Sequence, residues 1–312
     1  MKKTIALLSG GISSEREVSL KSGEQVFQAL DKNKYHVKRY DPQTDLSKLV
    51  AEADQIDAAL IILHGPYGED GTVQGLLELL DIPYQGAGVL GSALSMNKLA
   101  AKEIYERSGL PVPPYAVVRR TDRVQVDQLT AQLGLPLVVK PVVGGSSIGM
   151  SIVHQAAELA PAIAKALDQD AAALVEAYIK GIEITGSVLG NDDLQALPLI
   201  EIIPDQSHPF FNYEAKYTAG ASQEICPARI SRELTEKAQS YACRAHRALF
   251  CKGYSRTDMM LRGEDIFVLE TNTIPGMTPT SLFPQAAQTA GISFGQLLDR
   301  LIELGIQAHH NR

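Results

Sequence analysis

The run Ile266-Phe-Val-Leu-Glu270-Thr-Asn272-Thr-Ile-Pro275-Gly276-Met-Thr278 sets the organisation of the chain. An apolar strand pattern leads straight into a carboxylate, an amide and a Pro-Gly turn. Glu270 and Asn272 stand two apart, so on an extended strand both project to the same side. Upstream, Tyr254 to Leu261 reads as a second strand, and Arg262-Gly-Glu-Asp265 as the turn between them. With Gly263, Glu264 and Asp265 as a three-residue loop, Asp258 lies directly across from Glu270 on one face; a two-residue loop breaks that pairing. Three oxygen donors clustered this way suit a hard cation such as Mg²⁺, which keeps few protein ligands and takes phosphate and water oxygens for the rest. Spacing alone equally allows a solvated strand end carrying ordinary surface acids.

With 312 residues the chain has room for two or three domains. A hydrophobic share of 45% and a charged share of 21% describe a soluble globular protein. The net charge of −7 has no basic counter-patch, which argues against nucleic acid as a partner. Cys226, Cys243 and Cys251 have neither the number for a closed disulfide framework nor metal-ligand spacing, and they suit a reducing cytosol. The apolar run Ile5 to Leu8 is too short for a signal peptide, and no stretch approaches the length of a membrane span.

Three strand patterns, Thr4 to Leu8, His36 to Tyr40 and Ala58 to Leu63, alternate with helical ones at α/β spacing over residues 1–95. A helix opens at Glu15-Arg-Glu-Val-Ser, with Ser14 as candidate cap and Glu17 three residues on. The third strand runs into His64-Gly-Pro-Tyr-Gly-Glu69-Asp-Gly71, a glycine-rich turn at the end of the sheet where ligands bind. Glu15 and His64 read equally as a helix-terminus acid and a loop histidine. Gly86-Ala-Gly-Val-Leu-Gly91 matches the dinucleotide fingerprint, but it follows three strands and no acid ends a second strand after it, so a turn into the next domain is expected instead.

Over 96–180, Lys98 sits at the start of the helix Met96 to Arg107, where a cation opposes the helix dipole unless an anion binds nearby. The strand Leu137 to Lys140 precedes Pro141-Val-Val-Gly144-Gly145-Ser146-Ser147, whose backbone N–H groups and hydroxyls suit phosphates. Glu176 and Glu183 flank an apolar connector that would take a purine. Over 181–312, Glu183 to Leu199 reads as a hairpin. The aromatic-rich stretch 205–220 reads as an active-site lid. A long helix spans Ser231 to Phe250, another starts at Ser281-Leu282, and Phe294 to Ile306 is the last. His309 and His310 read as a solvent-facing tail.

Taken together and in order, these motifs resemble the D-alanine–D-alanine ligases of the ATP-grasp superfamily over nearly the full length. The set is Glu15-Arg-Glu-Val-Ser; His64-Gly-x-x-Gly-Glu-Asp-Gly71; Lys140 with Gly145-Ser-Ser147; Tyr213-Glu-Ala-Lys216-Tyr217; Arg256-x-Asp258; Glu270-x-Asn272-x-x-Pro-Gly276; and Ser281-Leu282. The resemblance implies an α/β protein, α+β in its ATP-binding half. It would be a three-domain ATP-grasp architecture with an N-terminal open parallel-sheet domain (1–95, 96–180 and 181–312). It implies a cytoplasmic, homodimeric enzyme that joins two D-alanines through an acyl phosphate for peptidoglycan synthesis. ATP would be co-substrate, and two Mg²⁺ ions, replaceable by Mn²⁺, the cofactors.

By the same resemblance Lys98, Lys140, Gly145, Ser147 and Lys216 hold phosphates, Glu176, Ala177 and Ile179 the adenine, and Glu183 the ribose. Asp258, Glu270 and Asn272 bind metal. Glu15 and His64 belong to the first D-alanine site, and Ser281 with the Leu282 amide to the second. Ser146 and Tyr217 join Glu15 in a latch, while Arg256 and the Gly276 N–H face the oxyanion. Three positions depart from the family pattern: Val142-Val143-Gly144 lacks a frequent acid, Asn97 replaces an aspartate, and Ala177 stands where a lysine is common. The alternatives are a related carboxylate–amine ligase, accepting D-lactate or D-serine among others, and a non-catalytic nucleotide-binding module. A Rossmann oxidoreductase would rest on the Gly86–Gly91 match alone.

Overall fold

Ile5 to Leu8 and Ala58 to Ile61 are unbroken apolar runs, the pattern of strands covered on both faces. In the computed structural model, which describes residues 2–145, 148–204 and 222–311, both are fully buried. They form β1 (Lys3–Leu8) and β3 (Ala58–Ile61), and with β2 (Tyr35–Tyr40) they make a parallel sheet of order β2-β1-β3. Ser146, Ser147, Lys216, Tyr217 and the lid expected over 205–220 lie outside the described residues.

The rest of the chain builds two antiparallel sheets. One has the order β4-β7-β5-β6, from β4 (Tyr115–Arg119), β5 (Leu137–Pro141), β6 (Ser151–Val153) and β7 (Ala172–Ala177). The other joins β8 (Ile182–Leu189), β9 (Gln195–Ala196), β10 (Ile200–Pro204), β11 (Ser222–Ile225), β12 (Tyr254–Arg262) and β13 (Asp265–Asn272). Its order is β11-β10-β8-β12-β13, with β9 on β8. The expected α/β beginning and α+β remainder both hold. Among the described residues no helix is long and apolar enough to cross a membrane.

The β12–β13 hairpin corrects one expectation and keeps its consequence. Arg262 pairs with Asp265, so the loop is the two residues Gly263 and Glu264. Gly263 has φ 61°, the conformation that a type II′ turn demands at its first central position. A register shift between Asp258 and Met259 then inserts a bulge, and Asp258 faces Glu270 after all, with Arg256 facing Asn272.

Several boundaries also differ. Glu15, not Ser14, is the N-cap residue of the helix Arg16–Ala29. The glycines after Gln85 lead into an unanticipated helix, Val89–Met96, that starts from Gly88. The return from β8 continues past β9 into β10. The last helix runs Phe294–His310, so His309 is no tail: its Nε2 lies 3.1 Å from Asp81 Oδ1, with the side chain 15% exposed.

That helix ties the chain's two ends together. Leu297, Leu298 and Leu301 share one core with Ile5, Leu7 and Leu60. Phe283 packs edge-on against Tyr254 of β12 in the same core, with ring centroids 5.3 Å apart. Gly305 permits the close approach, since a Cβ there would lie 2.5 Å from the Tyr84 carbonyl oxygen. Gly305→Val is therefore expected to destabilise the protein by about 1–3 kcal/mol through overpacking. The urea midpoint should fall with an unchanged slope; a midpoint equal to wild type would refute this account of the packing.

Candidate active site

Loops at the carboxyl ends of β1 and β3 are held to each other and to the start of the first helix by side-chain hydrogen bonds. The Ser13 hydroxyl donates to the His64 carbonyl at 2.6 Å. Arg16 pairs with Asp41 at 2.6 Å and donates to the Gly11 carbonyl at 2.7 Å. These contacts fix the start of the first helix and bury Glu15. A Cβ on Gly65 would lie 3.0 Å from Glu15 Oε2, and one on Gly145 3.3 Å, so the carboxylate stands between the first unit and the glycine loop.

Glu15 lines a cleft of about 440 Å³, a size common for small-molecule sites. His64, Lys98 and Gly145 line it from one side; Arg256, Glu270 and Asn272 enter from the hairpin, and Gly276, Ser281 and Leu282 follow the turn. The cleft thus gathers ten of the expected residues from distant parts of the sequence. Ser281 is the N-cap residue of the helix Leu282–Thr289, and its hydroxyl accepts from the Thr278 N–H at 3.1 Å. The Leu282 amide is at a helix start, where anions are favoured.

Asp258 is buried just behind the cleft wall. It accepts from Arg256 Nε and Nη2, both at 2.9 Å, from the Thr185 hydroxyl at 2.6 Å and from Asn272 Nδ2 at 3.0 Å. A carboxylate has about four acceptor sites, and four donor groups among the described residues already occupy Asp258. Beneath lies a hydroxyl chain in which Tyr105 donates to Thr271 at 2.7 Å and Thr271 meets Thr257 at 3.1 Å. It ties the helix Lys98–Arg107 to the hairpin.

The residues expected at the nucleotide form a second group. Lys98 Nζ donates to the Gly144 carbonyl, and the Lys98 N–H to Val142 at 2.9 Å. Asn97, the departure from the family pattern, caps this helix by accepting from Ala100 N at 3.0 Å. Lys140 Nζ lies 3.0 Å from Glu176 Oε2. The Ala177 N–H is already spent on the Pro114 carbonyl, Ile179 is a buried apolar side chain, and Glu183 stands near the start of β8.

Two residues escape the sequence reading. Lys102, fully buried, lies 2.9 Å from Glu176 Oε1; only its four-residue spacing from Lys98 on one helix face hinted at it. Glu69, in the His64–Gly71 turn, lines the cleft and accepts from the Gly65 N–H at 2.6 Å. Burial pushes its carboxyl up to about 8, with Glu15 and Glu270 adding to the rise and the Gly65 N–H and Arg256 opposing it. Burial lowers the His64 imidazole, against the pull of Glu15.

A family model described as D-ala D-ala ligase N-terminus matches residues 38–87, and one described as D-ala D-ala ligase C-terminus matches 104–303. The chain is 64% identical to a D-alanine–D-alanine ligase of Syntrophobacter fumaroxidans, over 98% of each protein. It is 56% identical to the D-alanine–D-alanine ligase of Desulfotalea psychrophila, over 97% of this chain and 95% of that protein. Among solved structures, the D-alanine–D-alanine ligase from Bacillus anthracis complexed with ATP superposes with a TM-score of 0.87 at 36% identity, covering 99% of both chains. The VanG D-Ala:D-Ser ligase from Enterococcus faecalis gives 0.85 at 33% identity, covering 98% of this chain and 100% of that one.

Glu69 supplies a pH test. Its native carboxyl is raised to about 8 from an ordinary 4.5, so between those values the native state keeps a proton that the unfolded chain has released. Stability contributed by that proton is full below the lower value and is lost as pH rises through the upper one. Glu69→Gln should remove this decline, so that the variant gains on wild type in thermal midpoint as pH rises across the window. Parallel pH profiles for the two proteins would refute the raised ionisation.

Proposed function

The chain belongs to the D-alanine–D-alanine ligase family and is an ATP-dependent ligase, and we propose that its cleft joins two D-alanines. The observation that carries this assignment is the convergence of Glu15, Gly145, Arg256, Glu270, Gly276 and Ser281 on one cleft.

A carboxylate is a poor electrophile toward an amine, so ATP first phosphorylates the first D-alanine to an acyl phosphate. Glu15, supported by His64, holds the ammonium of that D-alanine and leaves its carboxylate toward Arg256 and the phosphates. Lys98, Lys140 and the N–H groups of the glycine loop with Gly145 and Ser147 hold the phosphates, joined by Lys216. The Glu176–Ile179 connector takes the adenine, with Glu183 on the ribose. Because the Ala177 N–H is engaged, any base contact by that residue comes from its carbonyl. Ser281 and the Leu282 amide bind the carboxylate of the second D-alanine, whose amine attacks the acyl carbon and expels phosphate. Arg256 and the Gly276 N–H stabilise the oxyanion between these steps. Ser146 and Tyr217 complete a latch to Glu15 when the lid 205–220 closes.

The oxygen set of Asp258, Glu270 and Asn272 fits two Mg²⁺ ions, or Mn²⁺ in their place. Glu270 faces Asp258, and Asn272 turns its amide nitrogen to Asp258, which leaves the amide oxygen for a cation. Asp258 joins the set when one of its four donors withdraws. Bound there, the metal supplies neutralisation of phosphate charge.

The same reading includes three working units (1–95, 96–180 and 181–312), a homodimer and a cytoplasmic location, the product serving peptidoglycan synthesis. A D-lactate- or D-serine-accepting ligase differs only in the second substrate.

The direct test is phosphate release from ATP with a panel of D- and L-amino acids and D-lactate, with identification of the product. D-alanine alone should support turnover and yield the dipeptide; release with D-serine or D-lactate in preference to a second D-alanine would overturn the acceptor assignment. Glu270→Gln should lower kcat by on the order of a hundredfold and shift the Mg²⁺ dependence, as loss of a charge-stabilising group does. A wild-type rate with unchanged Mg²⁺ dependence would remove Glu270 from the metal set.

A further inference from the structure

Lysine is rarely buried without a partner, because its ammonium loses its hydration. Lys102 is 0% exposed and meets Oε1 of Glu176 at 2.9 Å, while Lys140, with its side chain 12% exposed, meets Oε2 at 3.0 Å. The three groups come from different elements. Glu176 lies on β7 opposite Val138 of β5, so Lys140, two residues on, is its diagonal neighbour on one face. Tyr115 of β4 lies opposite Glu176 on the other side, and its ring lies 5.5 Å from the Lys102 ammonium. Lys102 comes down on this face from the helix Lys98–Arg107, one turn beyond Lys98.

The charges do not cancel. One carboxylate stands between two ammonium groups, and the trio carries a net positive charge when all three are ionised. Burial works to raise the Glu176 carboxyl, but Lys140 and then Lys102 hold it below its ordinary value; burial lowers the Lys102 ammonium against the pull of Glu176. When Lys140 turns toward a phosphate, Lys102 is the counter-ion that remains to Glu176 among the described residues. Without Lys102, the same movement strands a buried carboxylate, which is strongly unfavourable.

We propose that Lys102 is a positioning residue for the nucleotide: by neutralising Glu176 from behind, it releases Lys140 to bind ATP. This rests on the assignment of Lys140 to the phosphates. It assigns Lys102 no contact with ATP, so its effect passes through Glu176.

Steady-state kinetics of Lys102→Met, Glu176→Gln, the double variant and Lys140→Met test it. Lys102→Met should raise the KM for ATP by about tenfold or more, the size of one charged hydrogen bond. The KM for D-alanine should stay within about twofold, as it does when only one substrate's binding is lost. In the double variant the neutral amide that replaces the Glu176 carboxylate no longer captures Lys140, so its KM for ATP should match that of Glu176→Gln alone. A Lys102→Met enzyme with a lowered melting temperature but a wild-type KM for ATP overturns the proposal, as do strictly additive effects in the double variant. Where Lys102→Met does not fold, the double variant, which leaves no unpaired carboxylate, decides: a KM for ATP equal to that of Glu176→Gln supports the proposal, and a further rise overturns it. Lys140→Met separates the premise from the inference. An unchanged KM for ATP there removes the phosphate assignment itself, whereas a raised one, with Lys102→Met unaffected, removes only the role of Lys102.

Discussion

A buried carboxylate must have its lone pairs filled, and Asp258 meets this requirement with donors from three strands. Thr185 reaches it from β8, Arg256 from its own strand β12 and Asn272 from β13. Removing one partner of a buried pair of this kind costs about 3–5 kcal/mol, since the remaining charge is left in a poor solvent. The strand order β8-β12-β13 is therefore bound to the chemistry: only with β12 in the middle does Asp258 have a partner on either side. The bidentate grip of Arg256 also gives that guanidinium a fixed resting position within the cleft wall, a form of preorganisation that a flexible surface arginine lacks.

The hairpin shows how far a sequence carries such a reading. The apolar run Ile266 to Leu269 and the strand-like run Tyr254 to Leu261 identify both strands, and Asp258 and Glu270 identify the face that matters. The turn length is another matter. Arg262-Gly-Glu-Asp265 accommodates loops of either two or three residues, and the two-residue turn prevails with Gly263 at positive φ. A one-residue slip normally sends every side chain to the opposite face. Here a bulge beyond Met259 absorbs it before the functional end, so the expected pairing of Asp258 with Glu270 stands on a different backbone. Nothing local in Val268-Leu269-Glu270 announces that bulge; it answers the needs of the partner strand.

What stayed hidden in the sequence shares one physical cause, dependence on a partner far along the chain. Lys102 sits in a helix rich in charged residues and draws no expectation of its own from the sequence, because the carboxylate that makes its burial tolerable is on β7. His309 reads as a tail until the last helix is seen to lie against the loop that holds Asp81. The helix Val89–Met96 has Gly91 and two serines in place of strong helix formers, and tertiary packing outweighs their propensity. Glycine motifs are local, and they were legible; of the caps, Ser14 lost its expected role when the Ser13 and Arg16 contacts took over the loop, and the capping of two later helices by Ser231 and Ser293 was not anticipated.

The distribution of charge along the cleft carries the chemistry one step further. Acids gather where the first unit's loops arrive, with Glu15 and Glu69 beside His64. Lys98 lines the same cleft beside the glycine loop, Glu270 enters it from the hairpin, and Lys140 and Lys102 stand around Glu176. Arg256 stands between, on the hairpin. An amino acid carries an ammonium at one end and a carboxylate at the other, whereas a nucleotide triphosphate is a polyanion. On the roles proposed above for these residues, the ammonium would go to Glu15 and the phosphates to the lysines, which would direct the carboxylate of the amino acid toward the phosphates, with Arg256 to screen the two anions from each other. That is the alignment phosphoryl transfer to a carboxylate needs, since like-charged reactants do not approach without it. A site arranged only to hold ATP would have no use for Glu15 and Glu69 beside His64.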